Sequence, residues 1–354
     1  VKPASADDTV HLLSDEEASQ LHVLETKVTW AAAFIGALGI VFLFVPRYIA
    51  PLWFPTIGVS IFGHTVGVPL VFTLWSACLV FVEIVILTLM HIYCIHRMAV
   101  ITGFLTEGNC TDSSLDALLI KLGCEKKDTS MQRYGIDPLE GMNRKALLLF
   151  NLLLMFKATL SNMVFKFVIQ RMLGRYAFQW IQDMAGIPVF AVWNAVGTRK
   201  VLKQGRVVIM GQNLVDNVSR RIFLQLPSVS PHEALVFETL KLVAISKRDY
   251  HFNHAALVKT LVDRYQLSTV STPFQVDTYL DRLRQAPLPI RELCAMLTVL
   301  GFLLDGNLSR QEKRRFIELK EKGLLDFEWR ELAEWNRMFV LGKGLDPMLD
   351  RFKL

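Results

Sequence analysis

Apolar residues run almost unbroken from Gly67 to Ile95, with Glu83 near the middle and His91 near the end. A helix needs roughly 20 apolar residues to cross a hydrocarbon core about 30 Å thick. This run exceeds that length and lacks the polar face of a soluble core helix. The pattern therefore predicts a membrane span over residues 67–95. An earlier run, residues 28–45, predicts a first span. Its small residues Ala32, Gly36, Ala37 and Gly39 either form a face for close helix approach or are ordinary membrane composition. Pro46, Pro51 and Pro55 then break the chain, and Tyr48 and Trp53 suit the headgroup layer.

Two later runs carry polar interruptions. Residues 146–169 contain Asn151, Lys157, Asn162 and Lys166, and residues 177–197 contain Gln179, Gln182, Asp183 and Pro188. They read as third and fourth spans whose polar groups face inward, with a hairpin lying in the interface as the alternative. Ahead of the first span, residues 11–26 predict a short amphipathic helix, with Ser14 and Glu17 at capping-box spacing.

After Pro227 the period becomes that of soluble helices. Ser230, Pro231 and Glu233 read as a helix start, followed by helices near 253–265, 273–285, 289–304, 309–322 and 326–340. The expected class is all-α: a four-helix transmembrane region followed by a soluble helical domain. The expected division is an acidic segment 1–26, a membrane domain 27–210 with a cytoplasmic insertion 96–145, and a helical domain 211–354.

Composition fits this mixture. The 354 residues are 52% hydrophobic, with mean hydropathy +0.34, net charge +6 and pI about 9.0. Basic residues are interspersed with acidic ones after residue 199, so a membrane surface explains the charge better than nucleic acid. Basic tracts follow the second span (His96, Arg97, Lys121, Lys126) and the fourth (Arg199, Lys200, Lys203, Arg206), which places both on the cytoplasmic side. Both termini are then cytoplasmic, although Lys166, Arg171 and Arg175 would lie outside. The acid-rich start does not resemble a signal peptide, so targeting is expected to rely on the first span. Five scattered cysteines without a CxxC pair give neither a disulfide framework nor a zinc spacing.

Two segments, residues 240–261 and 297–319, share a pattern of apolar helix, turn opened by Asp, and second helix. Asp249 matches Asp305, and Phe252 matches Leu308. The second copy, with Asp305, Gly306, Leu308, Ser309 and Glu312, resembles the TerB-like (tellurite-resistance B-like) helical domain over roughly 230–342. The resemblance implies an all-α module, often carried by membrane-linked proteins and sometimes proposed to bind metal, here at Asp305 and Glu312. A calcium loop would put Gly301 and Leu303 at ligand positions, which excludes that reading. The simpler account is that Ser309 and Glu312 form a capping box; no other cofactor is expected.

Ionisable groups inside a membrane are costly, so Glu83, His91, Lys157 and Asp183 are the candidate membrane residues. A Glu83–Lys157 pair would serve an ion path or fix helix order; a protonated Glu83 is the third option. No GxSxG, HExxH, P-loop or strand-linked GxGxxG occurs, so an enzyme is not expected. Three functions remain: a non-enzymatic membrane protein whose cytoplasmic module docks partners or senses the membrane, an accessory subunit of a larger complex, and an ion or solute transporter. The expected partners are the lipid bilayer and a protein or second copy, with no nucleic acid. The expected location is a bacterial inner membrane.

Overall fold

The computed structural model describes residues 13–61, 64–104, 130–140, 184, 186–249, 251–267 and 274–352. These form two compact units. One contains Val1–Leu21, His96–Met142 and Lys203–Leu354; the other contains His22–Ile95 and Asn143–Leu202. The boundary near the second helical region thus falls at residue 203, and the N-terminal residues join the helical domain.

Among the described residues the architecture is helical apart from one short ribbon. Helix α1 runs Asp15–Ile49 and α2 runs Leu70–Ile101. Both are long and apolar enough to cross a membrane. Between them a 3-10 turn at Pro51–Trp53 leads into antiparallel strands β1 (Ile57–Ile61) and β2 (His64–Val68), in register from Ile57 opposite Val68 to Ile61 opposite His64. The ribbon takes up Gly67 and Val68, which moves the start of α2 from the expected Gly67 to Leu70. Its signal is the alternation of Ile57, Val59 and Ile61 with Gly58 and Ser60.

The predicted amphipathic helix and first span are one continuous helix. Its start is as predicted: Ser14 N–H donates to Glu17 Oε2 at 2.9 Å, and Glu17 N–H donates to Ser14 Oγ at 3.2 Å. Pro46 does not end α1, contrary to expectation. Proline lacks the N–H that would bond the carbonyl four residues earlier. That carbonyl, Phe42 O, instead accepts the Trp75 indole N–H at 3.0 Å. The helix stops at Ile49, just before Pro51.

Helix α3 runs Gly186–Gln225, so the described part of the predicted fourth span continues well past Gly197. The predicted third span, with Lys157, lies outside the described residues, as does Asp183. The helical unit then contains α4 (Glu233–Lys247), α5 (Phe252–Tyr265), α6 (Val276–Gln285), α7 (Leu288–Leu303), α8 (Arg310–Glu321), α9 (Trp329–Leu341) and the short α10 (Asp346–Leu349). Helices α4 to α9 match the expected helices within a few residues, and α10 is additional. The predicted cap at Ser230 is not used: α4 begins at Glu233, after a turn in which His232 N–H bonds Val229 O.

Among the described residues the core of this unit is one cluster, in which Val236, Leu240 and Ala244 of α4 join Leu293, Leu297 and Leu300 of α7 and the aromatic residues Phe316, Phe327, Trp335 and Phe339. Gly301 lies against the Val243 side chain, which lets α4 and α7 pack closely. Met131 and Ile136, from the segment after α2, are also buried in this core.

Candidate functional site

In the unit holding residues 22–95 and 143–202, three helices meet through small and polar residues. A Cβ added to Gly36 would lie 2.5 Å from Phe190 O and 2.7 Å from Asn194 Nδ2, so glycine is what admits the α3 backbone. The small-residue run is therefore a face for close approach. Glu83 sits beside Gly39, its Oε2 3.3 Å from the place a Cβ would take. Its Oε1 accepts a hydrogen bond from Asn194 Nδ2 at 2.5 Å. His91, buried, lies with Nε2 3.0 Å from Thr198 Oγ1. Among the described residues Glu83 thus bonds an uncharged amide; its expected partner Lys157 is not described.

These contacts fix helix directions. Along α2, Glu83 precedes His91; along α3 their partners Asn194 and Thr198 follow the same order. The two helices run parallel. Helix α1 runs against both: Phe42 meets Trp75 while Gly39 meets Glu83, and Ile40 meets Gly186 while Gly36 meets Phe190.

In the helical unit, Asp305 and Glu312 converge on one cation. That cation is the ammonium of Lys247. Its Nζ donates to Asp305 Oδ1 at 2.6 Å, Phe302 O at 2.8 Å and Asn307 O at 2.9 Å. Glu312 Oε1 faces it at 2.5 Å. An ammonium has three protons, and here they are shared among four acceptors, the Asp305 and Glu312 carboxylates and the two carbonyls. The side chains of Lys247 and Glu312 are 2% and 1% exposed, so the pair is sealed from water.

The turn itself is built as predicted. Ser309 caps α8 by accepting Glu312 N–H at 3.2 Å, and Glu312 Oε2 accepts Ser309 N–H at 2.7 Å. Gly306 has φ +67°, and a Cβ there would lie 2.9 Å from Val207. Both facts call for glycine.

The same residues close the C-terminus of α7, whose last carbonyls have no partner within the helix. His254 Nε2–H donates to Gly301 O at 2.6 Å, Lys247 to Phe302 O, and Asn253 Nδ2 to Leu304 O at 2.7 Å. Asn253 Nδ2 also reaches Val207 O of α3 at 2.9 Å, and its amide fills the space a side chain at Gly211 would need. A cation here also meets the negative end of the α7 dipole. The site is a clamp joining α3, α4, α5, α7 and α8.

Burial tunes its titratable groups. Burial, reinforced by Lys247 and His251, pushes His254 down to about 3 and keeps it neutral. Its Nε2 carries the proton, so Nδ1 is a buried acceptor without a donor among the described residues. Burial also lowers His251. It raises the Glu312 carboxyl, against the opposing pull of Lys247. In the opposite part of the core, burial drives Cys294 up to about 12 and raises Tyr279 well above the usual phenol value. Tyr279 and Thr239 share a 2.8 Å hydrogen bond. A thiol held neutral in this way is a poor nucleophile.

The donor set suits an ammonium. A metal at Asp305 and Glu312 would require Lys247 to leave, and among the described residues no three His, Cys, Asp or Glu side chains are grouped to hold one. A hollow of about 20 Å³ between Val218, Ile222, Met296, Leu349 and Phe352 has room for a water molecule and not for a substrate.

No protein-family model, curated protein or solved structure matches this chain.

Proposed function

We propose that the chain is an integral membrane protein whose four spans carry a cytoplasmic, TerB-like helical module, and that the module is a non-enzymatic docking platform. The observation that carries the membrane reading is the surface of α2: none of its most apolar window is buried. Leu74, Phe81, Ile84 and Leu89 are all exposed. A soluble monomer rarely exposes so continuous an apolar surface, whereas lipid tails cover it without cost.

Connectivity supports the span count and the side of each terminus. Leu13 N–H bonds Gly342 O at 2.9 Å, and Leu21 is buried, so the N-terminal residues pack with the C-terminal helices. Both ends of the chain then lie on one side of the bilayer. Met131 and Ile136 belong to the same core, so the chain is back on that side after α1 and α2. Because α2 and α3 run parallel, the chain that leaves α2 must regain the opposite face before it enters α3 at Gly186. That favours two further crossings over an interfacial hairpin.

The docking role rests on what the module does with its polar groups. Lys247, His254, Glu312, Tyr279 and Cys294 are all spent on interior contacts. This leaves exposed surface as the working part. In the membrane unit, the Glu83–Asn194 and Gly36–Phe190 contacts suit helix pairing better than an ion path.

The test is chemical cross-linking of the full chain in its native membranes, with mass spectrometry of the products. The proposal expects the chain to remain in the membrane pellet after alkaline extraction. It also expects cross-links from the α8–α9 surface to a partner protein or a second copy at fixed stoichiometry. Cross-links confined to α2 would instead favour the accessory-subunit reading. Release by alkaline extraction would refute the membrane assignment.

A further inference from the structure

The inference rests on the membrane reading above and concerns one face of α3. At 100° per residue, Val192, Val196, Arg199 and Lys203 lie within a narrow stripe, flanked by Trp193 and Lys200. All six are exposed. The opposite face holds Asn194 and Thr198, which contact α2.

Along this stripe the chemistry changes within one turn. Val192, Trp193 and Val196 are apolar; Arg199, Lys200 and Lys203 follow about 4.5 Å further along the axis. No Asp or Glu occurs between Asp183 and Asp216, so the helix supplies no carboxylate within reach of these cations. The cations continue a surface that suits lipid tails, at the depth where phosphates begin. Their partner needs to be anionic and to border hydrocarbon.

We propose that Arg199, Lys200 and Lys203 form a binding surface for the phosphate headgroups of anionic phospholipids at the cytoplasmic leaflet. Arg199 can take a phosphate through two parallel N–H donors, while the two lysines act as point charges. Val196 and Trp193 pack against the acyl chains of the same lipids.

The experiment reconstitutes the full chain into vesicles of mixed phosphatidylcholine and phosphatidylglycerol, re-extracts it in mild detergent and quantifies the co-purified lipid. Phosphatidylglycerol should be enriched over its share of the mixture, and added salt should reduce the enrichment. The variant R199Q/K200Q/K203Q, with glutamines that keep helix propensity, should lose the enrichment several-fold while circular dichroism and resistance to alkaline extraction stay unchanged. Undiminished enrichment in the variant, or none in the wild type, overturns the proposal. Full displacement of phosphatidylglycerol by inorganic phosphate would assign the surface to the free anion and overturn the lipid assignment. Failure of the wild type to stay with the vesicles under alkaline extraction would overturn the membrane reading itself.

Discussion

Replacing Lys247 with methionine would strand two carboxylates and two carbonyls in the protein interior. Breaking a buried ion pair from one side typically costs about 3–5 kcal/mol, and urea denaturation of the purified chain should show a loss of that order. Adding E312Q should recover part of it, because Gln keeps the capping box and removes the stranded charge. His254 gives the pH dependence. Its folded-state value, about 3, lies below the ordinary 6.5. The unfolded chain therefore takes up a proton that the folded chain refuses. Stability from this group is complete above pH 6.5 and falls by at most about 1.4 kcal/mol for each unit below it. Glu312 has the opposite sign: its raised carboxyl value means a contribution lost as pH rises above the usual carboxylate range. Unfolding midpoints between pH 7.5 and 5.5 should fall with pH, and H254Q should flatten the slope. Asp305, Glu312 and the capping box were legible in the sequence, because they lie within one turn. Lys247 was not, since its partners are far along the chain. The available signal was its position on the buried stripe of Val236, Leu240 and Val243, where a cation has no place unless it is paired.

Helix packing in the unit of His22–Ile95 and Asn143–Leu202 depends on contacts that one methyl group can block. Gly36→Ala would force Phe190 O and Asn194 away from α1, whereas Gly197→Ala has open space around it. Overpacking of this kind costs about 1–3 kcal/mol. Thermal denaturation in detergent should show that loss for G36A, with G197A unchanged. Trp75→Phe should lower the midpoint as well, because it leaves Phe42 O without a donor at the site of the missing proline N–H. Pro46 looks like a helix end in the sequence, and only a side chain 33 residues from Phe42 shows otherwise. The helices from Glu233 to Leu341 are readable to within a few residues because their apolar stripes and turns are local. The β1–β2 ribbon has little signature in the sequence, because its short alternation sits between two much stronger apolar runs.

For the whole molecule, the sequence pattern divides the chain into a membrane part and a helical part in succession. The structure interleaves them: residues 1–21 and 96–142 join Lys203–Leu354. Hydropathy reports what each segment is covered by, and not which segments pack together, so this interleaving had no local signature. The central claim is that α1 and α2 cross a bilayer and leave both chain ends on one side. Its most direct test is labelling with a membrane-impermeant maleimide in sealed vesicles, using single cysteines in an otherwise cysteine-free chain. Ser14, Leu52 and Lys343 are exposed positions for them. The account predicts that S14C and K343C react from the same side and L52C only from the other. Reaction of all three from one side of intact vesicles would contradict it.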